Sequence, residues 1–345
     1  MIVSKFNNIS IEGLAVGVPS KWVSIESLKT EENKENLDRF EKNTGIRGHY
    51  IAHERQTASD LCFAAAESIL SNKNVDRNEV GVLVFITQYP DYKTPSTACT
   101  LHLRLGLSNS CIAFDVNLGC SGFTYGLNIV SSLLGLSSAK FGLLLVGDTA
   151  ASTGKQTGNN KLLFGDAGSA TLLEKDTNAL PITVCSMTDG SGFKNLWQPN
   201  GFARHRDRAN DKSMHDELNV FNFAINEVPK MINGYFEQKG LDSSVYDALA
   251  LHQANLMIMK NVAKRTKFPK EKLLISLDEF SNTSGASIPT ALVKYYGDTE
   301  EEKSLRLMTC GFGVGLSWAM ADFNIKTSDI LPLIKTDDYY DDGLF

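Results

Sequence analysis

The sequence contains no long hydrophobic run, no leader-like beginning and no excess of positive charge. No apolar segment approaches the ~20 residues that are needed to span a bilayer. The first ten residues also lack the basic head, apolar body and small-residue cleavage site of a signal peptide. We therefore expect a cytoplasmic protein with no membrane segment.

Positive charge is in deficit, because the formal net charge is -6 at pH 7. Binding of nucleic acid requires a basic surface that neutralises phosphates, so we expect no nucleic-acid partner. Proline is scarce, with 9 among 345 residues, while hydrophobic residues make up 42% and charged residues 21% of the chain. These values argue against disorder and predict a globular protein, as one large domain or two of ordinary size.

The cysteines form no Cys-x-x-Cys pair, so their spacing indicates neither a structural zinc site nor a redox dithiol. They are Cys62, Cys99, Cys111, Cys120, Cys185 and Cys310. In a reducing compartment most cysteines are small buried hydrophobes. We expect no metal and no bound cofactor, and only Cys120 stands apart, by its position.

Cys120 follows an apolar, strand-like run and precedes an amphipathic run from Phe123 to Leu134, which predicts a strand-to-helix corner. A helix N-terminus carries partial positive charge and unpaired N–H groups. These groups favour thiolate over thiol and can hold a developing oxyanion. We interpret Cys120 as a nucleophile.

A second strand-to-helix corner follows the apolar strand predicted at residues 247–252. His252 ends that strand, and the next predicted helix begins at Asn255. Ligands bind outside the carboxyl ends of the strands in open α/β sheets. Cys120 and His252 therefore both lie where a site is expected, within an α/β pattern of alternating helices and strands.

Four other segments carry structural predictions. We expect a first strand at 9–16, a pair of strands within 161–174 and a long surface excursion at 189–212. The tail from about residue 326 is acidic and is expected to be solvated.

The glycine-rich turn at 311–315 is predicted between two strands rather than before a helix. It therefore lacks the helix N-terminus on which a dinucleotide pyrophosphate rests. Glycines at such a turn instead let backbone N–H groups approach another group closely. A lone His252 or Asn282 is more often a structural residue, but together with Cys120 and this turn they form a set suited to thiol acyl chemistry.

The set of motifs resembles the β-ketoacyl-acyl carrier protein synthase III family. Four segments carry the resemblance in the family's order and spacing: residues 115–127, 251–255, 281–289 and 311–318. Residues 44–47 and 164–168 resemble further family segments. The resemblance covers about residues 9–324 and leaves the acidic tail outside.

The resemblance implies the thiolase fold, in which two similar βαβαβαββ halves pack into a five-layered α-β-α-β-α sandwich, and a homodimer. The expected halves are residues 1–178, which carry the nucleophile, and residues 179–345, which carry the histidine and the asparagine.

The family's catalytic positions are matched by Cys120 as nucleophile and by His252 and Asn282 as donors. The resemblance implies that the backbone N–H groups of Cys120 and of the Gly313–Val314 turn form the oxyanion hole. Substrate-binding residues are expected to be Phe312, Thr94 and Asn255, with Thr94 leaving room for a longer or branched acyl group.

Some positions depart from the family pattern. Members that use coenzyme A carry a tryptophan and arginines to grip it, and here those places hold Arg39 or Phe40, Asn43 and the loop at 158–159. Met257 stands where an arginine often helps to dock the carrier protein. The acyl donor, as acyl-coenzyme A or acyl-acyl carrier protein, therefore stays open.

Three functions are consistent with the sequence. The leading hypothesis is condensation of an acyl thioester with malonyl-acyl carrier protein through acyl-Cys120. The main alternative is a non-condensing acyltransferase of the same fold, which passes the acyl group to a hydroxyl or amine in a polysaccharide or polyketide pathway. A third is a catalytically silent scaffold. Thiolase-type chemistry is disfavoured, because Cys310 would have to act as acid and base without the matching pattern.

Overall fold

The structure is a computed structural model and describes residues 2–153, 162–199, 203–204 and 214–344. The strands of these ranges, in chain order, are β1 (Ile2–Phe6), β2 (Ile9–Val18), β3 (Trp22–Ser24), β4 (Gly48–Tyr50), β5 (Val80–Ile86), β6 (Ile112–Val116), β7 (Phe141–Asp148), β8 (Ala167–Lys175), β9 (Ile182–Thr188), β10 (Leu196–Trp197), β11 (Met214–His215), β12 (Ala248–Leu251), β13 (Ser304–Gly313), β14 (Ser317–Lys326) and β15 (Ile334–Lys335). The α-helices are α1 (Lys34–Thr44), α2 (Ala58–Asn72), α3 (Thr97–Arg104), α4 (Gly122–Leu136), α5 (Ala150–Thr153), α6 (Glu217–Lys239), α7 (Leu256–Arg265), α8 (Leu277–Phe280) and α9 (Ser287–Tyr296).

Two large sheets organise the described chain. One has the strand order β15-β2-β8-β7-β5-β6, and the other has the order β1-β9-β14-β13-β12. In the first, β5 runs parallel to both β6 and β7; in the second, β12 runs parallel to β13. The carboxyl ends of β6 and β12 each lead directly into a predicted corner.

The side chains of each sheet alternate between two cores, because successive residues of a strand point to opposite faces. On β5, Val82 and Val84 belong to a central core, whereas Leu83 and Phe85 belong to an outer core. Helices α4 and α9 fill the centre, α2 and α3 cover one outer face, and α6 and α7 cover the other. These five α-β-α-β-α layers are the architecture that the family resemblance implies.

Local signals agree with several helix boundaries. Thr57 and Asp60 form a reciprocal capping box at the start of α2, which satisfies otherwise unpaired N–H groups. Asn255 caps α7, because its side chain accepts a hydrogen bond of 2.8 Å from the Ile258 N–H. Because α4 begins at Gly122 and α7 at Leu256, both corners form where the sequence predicts them.

The predicted strands differ from the observed ones at three places. The strand predicted first is β2, since β1 precedes it and pairs antiparallel with β9. The predicted pair within 161–174 is wrong: β8 alone forms a strand, and Phe164 makes an isolated bridge to Asn282. The glycine turn is shorter than predicted, because β13 continues to Gly313. In the first two cases pairing with a distant segment decides the outcome, and local periodicity does not contain that information; in the third, the hairpin pairing of Gly313 with Ser317 extends the strand.

The predicted boundary at 178/179 lies in the turn between β8 and β9, which belong to different sheets. The strand at each end of the described chain pairs with a strand of the other predicted half. β1 pairs with β9 in the five-stranded sheet, and β15 pairs with β2 in the six-stranded sheet. The division into halves 1–178 and 179–345 stays a prediction.

Asp337, Asp338 and Asp341 of the acidic tail are exposed, as predicted, but the tail is also held against the first half by contacts that the sequence did not predict. Gln56 donates from Nε2 to the carbonyls of Thr336 at 2.8 Å and Asp338 at 3.1 Å. The Tyr340 N–H donates to the Asp60 carboxylate at 2.9 Å. The centroid of the Tyr340 ring lies 4.9 Å from the Arg104 guanidinium. The charge pattern predicts the exposure of the carboxylates, but backbone groups and tyrosine rings anchor this segment.

Deleting residues 336–345 is expected to lower the thermal unfolding midpoint by a few degrees. The deletion removes at least three hydrogen bonds to the first half, each worth about 0.5–1.5 kcal/mol net. Scanning calorimetry measures the shift, with Asp338→Asn as a control that removes only an exposed charge. An unchanged midpoint in the truncated protein would contradict this account of the tail.

Candidate active site

Cys120 lies between β6 and α4, and Gly119 and Gly122 flank its corner. Glycine is required opposite the thiol as well: a Cβ on Gly313 would lie 2.7 Å from the Cys120 Cβ and 2.9 Å from its Sγ. Real side chains do not approach this closely, so the backbone of Gly313 packs directly on the thiol. The corner and the β13–β14 turn therefore meet at the sulfur.

One cavity of about 590 Å³ contains this meeting point within the described part of the chain. Its size lies within the range of small-molecule sites. The cavity brings together most of the residues predicted for the site: Cys120, His252, Asn255, Asn282, Phe312, Gly313 and Val314. The sequence motifs are thus far apart in the chain and adjacent in space.

His252 follows β12 and is 2% exposed. Its Nδ1 lies 2.8 Å from the Ser287 hydroxyl, and its ring meets the edge of Phe312 at a centroid distance of 5.5 Å. Burial lowers the pKa of His252 to about 4, while the main chain of Ser284 opposes the shift. The imidazole is therefore neutral at pH 7, and when Nδ1 accepts from Ser287, Nε2 carries the proton.

Asn282 is 7% exposed and lies in a segment that its backbone fixes on both sides. The Asn282 N–H donates to the Leu163 carbonyl at 3.0 Å, and the Asn282 carbonyl accepts from the Gly165 N–H at 3.1 Å. Its side-chain Oδ1 accepts from the Ser284 N–H at 2.9 Å. With Oδ1 engaged in this way, Nδ2 is the donor that the side chain offers to the cavity.

The environment of the sulfur combines burial with several donors. Burial and the Asp148 carboxylate raise the pKa of Cys120 to about 11, while the N–H groups of Val314 and Cys120 and the Ser284 hydroxyl oppose the rise. The expectation that the helix terminus favours thiolate in the resting protein is therefore wrong, because burial outweighs it. The two N–H groups nevertheless lie beside the sulfur, as the predicted oxyanion hole requires.

Alkylation of Cys120 is expected to be slow at neutral pH and to accelerate about tenfold per pH unit up to pH 10, because the raised pKa keeps the thiol protonated. Iodoacetamide labelling followed by peptide mass spectrometry measures the profile, with glutathione as a free-thiol reference near pKa 8.5. An inflection below pH 8 would contradict the protonated resting state.

Of the other positions that the sequence analysis singled out, some line the cavity and others do not. Thr94 is exposed and does not line the cavity, so its role in acyl selection stays a prediction that no contact within this chain supports. Arg39, Phe40 and Asn43 line the cavity, whereas the loop at 158–159 lies outside the described residues. Met257 is 55% exposed on α7.

Sequence reasoning missed several cavity residues. Gln88 and Tyr89 follow β5, and Trp197 lies on β10 within the excursion predicted as surface loop. The sequence did contain a signal for Trp197, since a large aromatic residue is unusual in a polar surface loop. Cys310 is fully buried in the core under α6 and α7, so it does not reach the cavity as thiolase-type chemistry would require.

Among the described residues, no group of three or more potential ligands could hold a metal ion. The helices of these same ranges include none that is both long and apolar enough to cross a bilayer.

Known proteins resemble this chain in sequence and in structure. The family model for 3-oxoacyl-[acyl-carrier-protein] synthase III matches residues 114–190, and the model for the C-terminal part of that family matches residues 236–325. The chain is 33% identical to the β-ketoacyl-[acyl-carrier-protein] synthase III of Xanthomonas campestris over 81% of this chain and 86% of that protein. It is 32% identical to the protein of the same name from Clostridium perfringens, over 91% of this chain and 98% of that one.

A solved structure shows the same fold. The crystal structure of a 3-oxoacyl-(acyl-carrier protein) synthase from Burkholderia xenovorans matches with a TM-score of 0.90 and 33% identity, covering 97% of this chain and 99% of that one. This likeness confirms the predicted thiolase fold.

Proposed function

Because the chain belongs to the 3-oxoacyl-[acyl-carrier-protein] synthase III family, we propose that it condenses an acyl thioester with malonyl-acyl carrier protein through an acyl group on Cys120. The observation that carries the proposal is one shared cavity, in which Cys120, His252, Asn282 and the Val314 N–H converge. Each group suits one requirement of the reaction.

The first half-reaction loads Cys120. The sulfur attacks the thioester carbonyl, a new C–S bond forms, and the donor thiol leaves. The N–H groups of Cys120 and Val314 hold the negative oxygen of the tetrahedral intermediate, because both lie beside the sulfur. Phe312 borders the cavity and keeps this region dry.

The second half-reaction forms the new carbon–carbon bond. The malonyl C–C bond breaks, carbon dioxide leaves, and the electron pair passes into an enolate whose oxygen accepts from His252 Nε2 and Asn282 Nδ2. The enolate carbon attacks acyl-Cys120, and the cysteine sulfur departs. A neutral imidazole suits this step, since a pKa of about 4 lets His252 donate without an imidazolium that would protonate the carbanion.

The charges that line the cavity help to distinguish between the two possible acyl donors. Arg39 and Glu217 line it, and both side chains are exposed, so charges of opposite sign face an entering ligand. Coenzyme A carries more phosphate groups than the prosthetic arm of acyl carrier protein, so the Glu217 carboxylate would disfavour coenzyme A more strongly. We propose acyl-acyl carrier protein as the preferred donor for this reason.

Replacing Glu217 with glutamine is expected to lower KM for acyl-coenzyme A about twofold to threefold, because an exposed charge contributes on the order of 0.5 kcal/mol. Steady-state kinetics at low salt measure the change. The matched substrate is an acyl-N-acetylcysteamine thioester, which lacks phosphates and should keep its KM. Equal effects on both substrates would contradict the electrostatic explanation.

We also propose a cytoplasmic homodimer. Strand β6 ends its sheet, and Ile112 on this strand is 47% exposed, so a second copy could cover this edge. Sedimentation tests this directly, since a monomer at micromolar concentration would contradict it.

The non-condensing acyltransferase is the second candidate. It is supported by the departures at Arg39, Asn43 and Met257, and by Trp197, which brings a polar excursion to the cavity wall. Such an enzyme would pass the acyl group to a hydroxyl or amine instead of a carbanion.

Malonyl-acyl carrier protein labelled in its free carboxyl separates the candidates. Condensation predicts one equivalent of labelled carbon dioxide for each acyl group that leaves Cys120. Discharge of the acyl group to a hydroxyl or amine without carbon dioxide release would support the second candidate. A scaffold would form no acyl adduct at all.

A further inference from the structure

Two polar residues of the cavity wall have no role in the reaction described above. Gln88 and Tyr89 line the cavity, and both are partly buried. They directly follow β5, which runs parallel to β6. The loop that carries them therefore leaves the sheet beside the corner that holds Cys120.

The carboxamide of Gln88 packs against this corner. A Cβ on Gly119 would lie 2.3 Å from the Gln88 Oε1 and 2.8 Å from its Cδ, so the carboxamide touches the backbone of Gly119. Consecutive Cα atoms are about 3.8 Å apart, and Cys120 is the next residue. The carboxamide therefore lies beside the space that the first carbons of an acyl group on Cys120 would occupy.

Hydrogen bonds to the backbone hold both residues in place. The Gln88 N–H donates to Asp148 Oδ1 at 2.7 Å, and the Thr87 hydroxyl donates to the same oxygen at 2.9 Å. The Thr87 hydroxyl oxygen accepts in turn from the Tyr89 N–H at 2.9 Å. Asp148 is 2% exposed, so this network is shielded from water. A site that is fixed in this way loses little conformational entropy when a ligand binds.

The polar ends of the two side chains lack protein partners. Within the part of the chain that the structure describes, the hydrogen bonds of Gln88 and Tyr89 come from their backbone N–H groups, and none reaches the Gln88 carboxamide or the Tyr89 hydroxyl. Burial, together with the carboxylates of Asp148 and Asp166, raises the pKa of Tyr89 to about 12, so the phenol keeps its proton at pH 7. Polar groups that are taken out of water need a hydrogen-bond partner, and a ligand in the cavity can supply it.

The thioester itself does not need these two groups. In the proposed reaction its carbonyl oxygen is held by backbone N–H groups during loading and by His252 and Asn282 during condensation. The Gln88 carboxamide and the Tyr89 hydroxyl are therefore free to bind another oxygen of the substrate. A carboxamide offers both a donor and an acceptor, and a hydroxyl is the oxygen group that uses both.

We propose that Gln88 and Tyr89 select an acyl group that bears a hydroxyl on its second or third carbon, so that hydroxyacyl thioesters are the preferred donors to Cys120. This inference rests on the proposed function, because it names the acyl group of the first half-reaction. The hydroxyl must lie near the thioester, since the Gln88 carboxamide packs on the residue that precedes the nucleophile.

An apolar acyl chain would leave both polar groups unpaired in the closed site. A site that hydrogen-bonds a substrate hydroxyl discriminates against the analogue without it more strongly than an apolar pocket discriminates by one methylene. We therefore expect a clear preference for the hydroxyacyl group over the simple acyl group of the same length.

The test is a competition for Cys120 between two N-acetylcysteamine thioesters at equal concentration. Butyryl competes with 3-hydroxybutyryl in one sample and with 2-hydroxybutyryl in another, and intact-protein mass spectrometry gives the ratio of the two adducts, which differ by one oxygen atom. At least one hydroxyacyl group is expected to load about tenfold faster than butyryl. The 2-methylbutyryl and 3-methylbutyryl thioesters, in which a methyl group replaces the hydroxyl, should show no such advantage.

The variants Gln88→Leu and Tyr89→Phe remove the polar ends and nearly keep the shapes of the side chains. The hydroxyacyl preference should fall to about twofold or less, because hydroxyacyl loading slows while butyryl loading is unchanged. A general disturbance of the site would slow both and leave their ratio intact. Gln238→Leu is the matched control, since Gln238 is exposed on α6 and lies outside the cavity.

The outcomes separate this inference from the function on which it rests. Equal loading of butyryl and both hydroxybutyryl groups by the parent protein would overturn it, as would an equal advantage for the methyl analogues. A preference that persists in both Gln88→Leu and Tyr89→Phe would also overturn it, and if Gln88→Leu does not fold, Tyr89→Phe decides alone. A parent protein that forms no adduct with any thioester would overturn the proposed function itself.

Discussion

Cys120→Ser is expected to abolish the acyl adduct and to lower condensation at least ~10³-fold, because the hydroxyl is a far weaker nucleophile than the thiol. The substitution removes one sulfur atom and leaves the backbone N–H groups of Cys120 and Val314 in place. Any lost activity therefore reports on the nucleophile rather than on the oxyanion hole. Intact-protein mass spectrometry after incubation with an acyl thioester measures the adduct.

Cys99→Ser is the matched control for this experiment. Cys99 is exposed and lies outside the cavity, so its replacement should leave both the adduct and the condensation rate unchanged. An adduct that persists in Cys120→Ser would contradict the assignment. Loss of the adduct in Cys99→Ser would do the same.

His252→Ala and Asn282→Ala are expected to separate the two half-reactions. Each variant should still form acyl-Cys120, because the proposed oxyanion donors of that step are N–H groups of the backbone. Decarboxylation should fall about 10²–10³-fold in each variant, as when one preorganised donor to a developing oxyanion is removed. Single-turnover assays measure the acyl adduct and the labelled carbon dioxide in the same sample.

His102→Ala controls for the loss of a histidine. His102 lies on α3, away from the cavity, and its Nε2 hydrogen-bonds to the Ser108 carbonyl, so its replacement should affect neither half-reaction. Equal loss of acylation and decarboxylation in His252→Ala would contradict the division of labour. The same outcome would point to His252 as the base for Cys120.

The strand-to-helix corners were the strongest features that the sequence predicted. An apolar strand followed by a polar residue and an amphipathic helix is a local pattern, and β6–α4 and β12–α7 form where it occurs. The rule that ligand sites lie at the carboxyl ends of strands predicted a site at each corner, but β6 and β12 belong to different sheets, so it was the family resemblance that implied the meeting of Cys120 with His252.

Other features depend on contacts that no local pattern contains. β1 pairs with β9 and β15 pairs with β2, so each terminal strand joins a sheet through a partner that lies at least 175 positions away in the chain. Trp197 reaches the cavity from a segment whose composition is that of a surface loop. Asp148 is hidden in the sequence because it looks like the polar end of an ordinary strand.

The resting state of the nucleophile also had to come from the structure. The helix terminus suggested a lowered pKa for Cys120, but a site that is dry enough to hold an enolate also disfavours a thiolate. Desolvation therefore acts on both titratable groups of the site in the direction of neutrality: it raises the pKa of Cys120 and lowers that of His252. The cavity therefore favours the thiol over a preformed thiolate in the resting protein.

The most direct test of the account follows one acyl group through the whole reaction. The protein is first incubated with an acyl thioester, freed of excess donor, and then mixed with carboxyl-labelled malonyl-acyl carrier protein. The account predicts that an acyl mass appears on Cys120, disappears on mixing, and is recovered as one equivalent of 3-oxoacyl-acyl carrier protein with one equivalent of carbon dioxide. An acyl group that stays on Cys120, or that leaves without carbon dioxide, would contradict it.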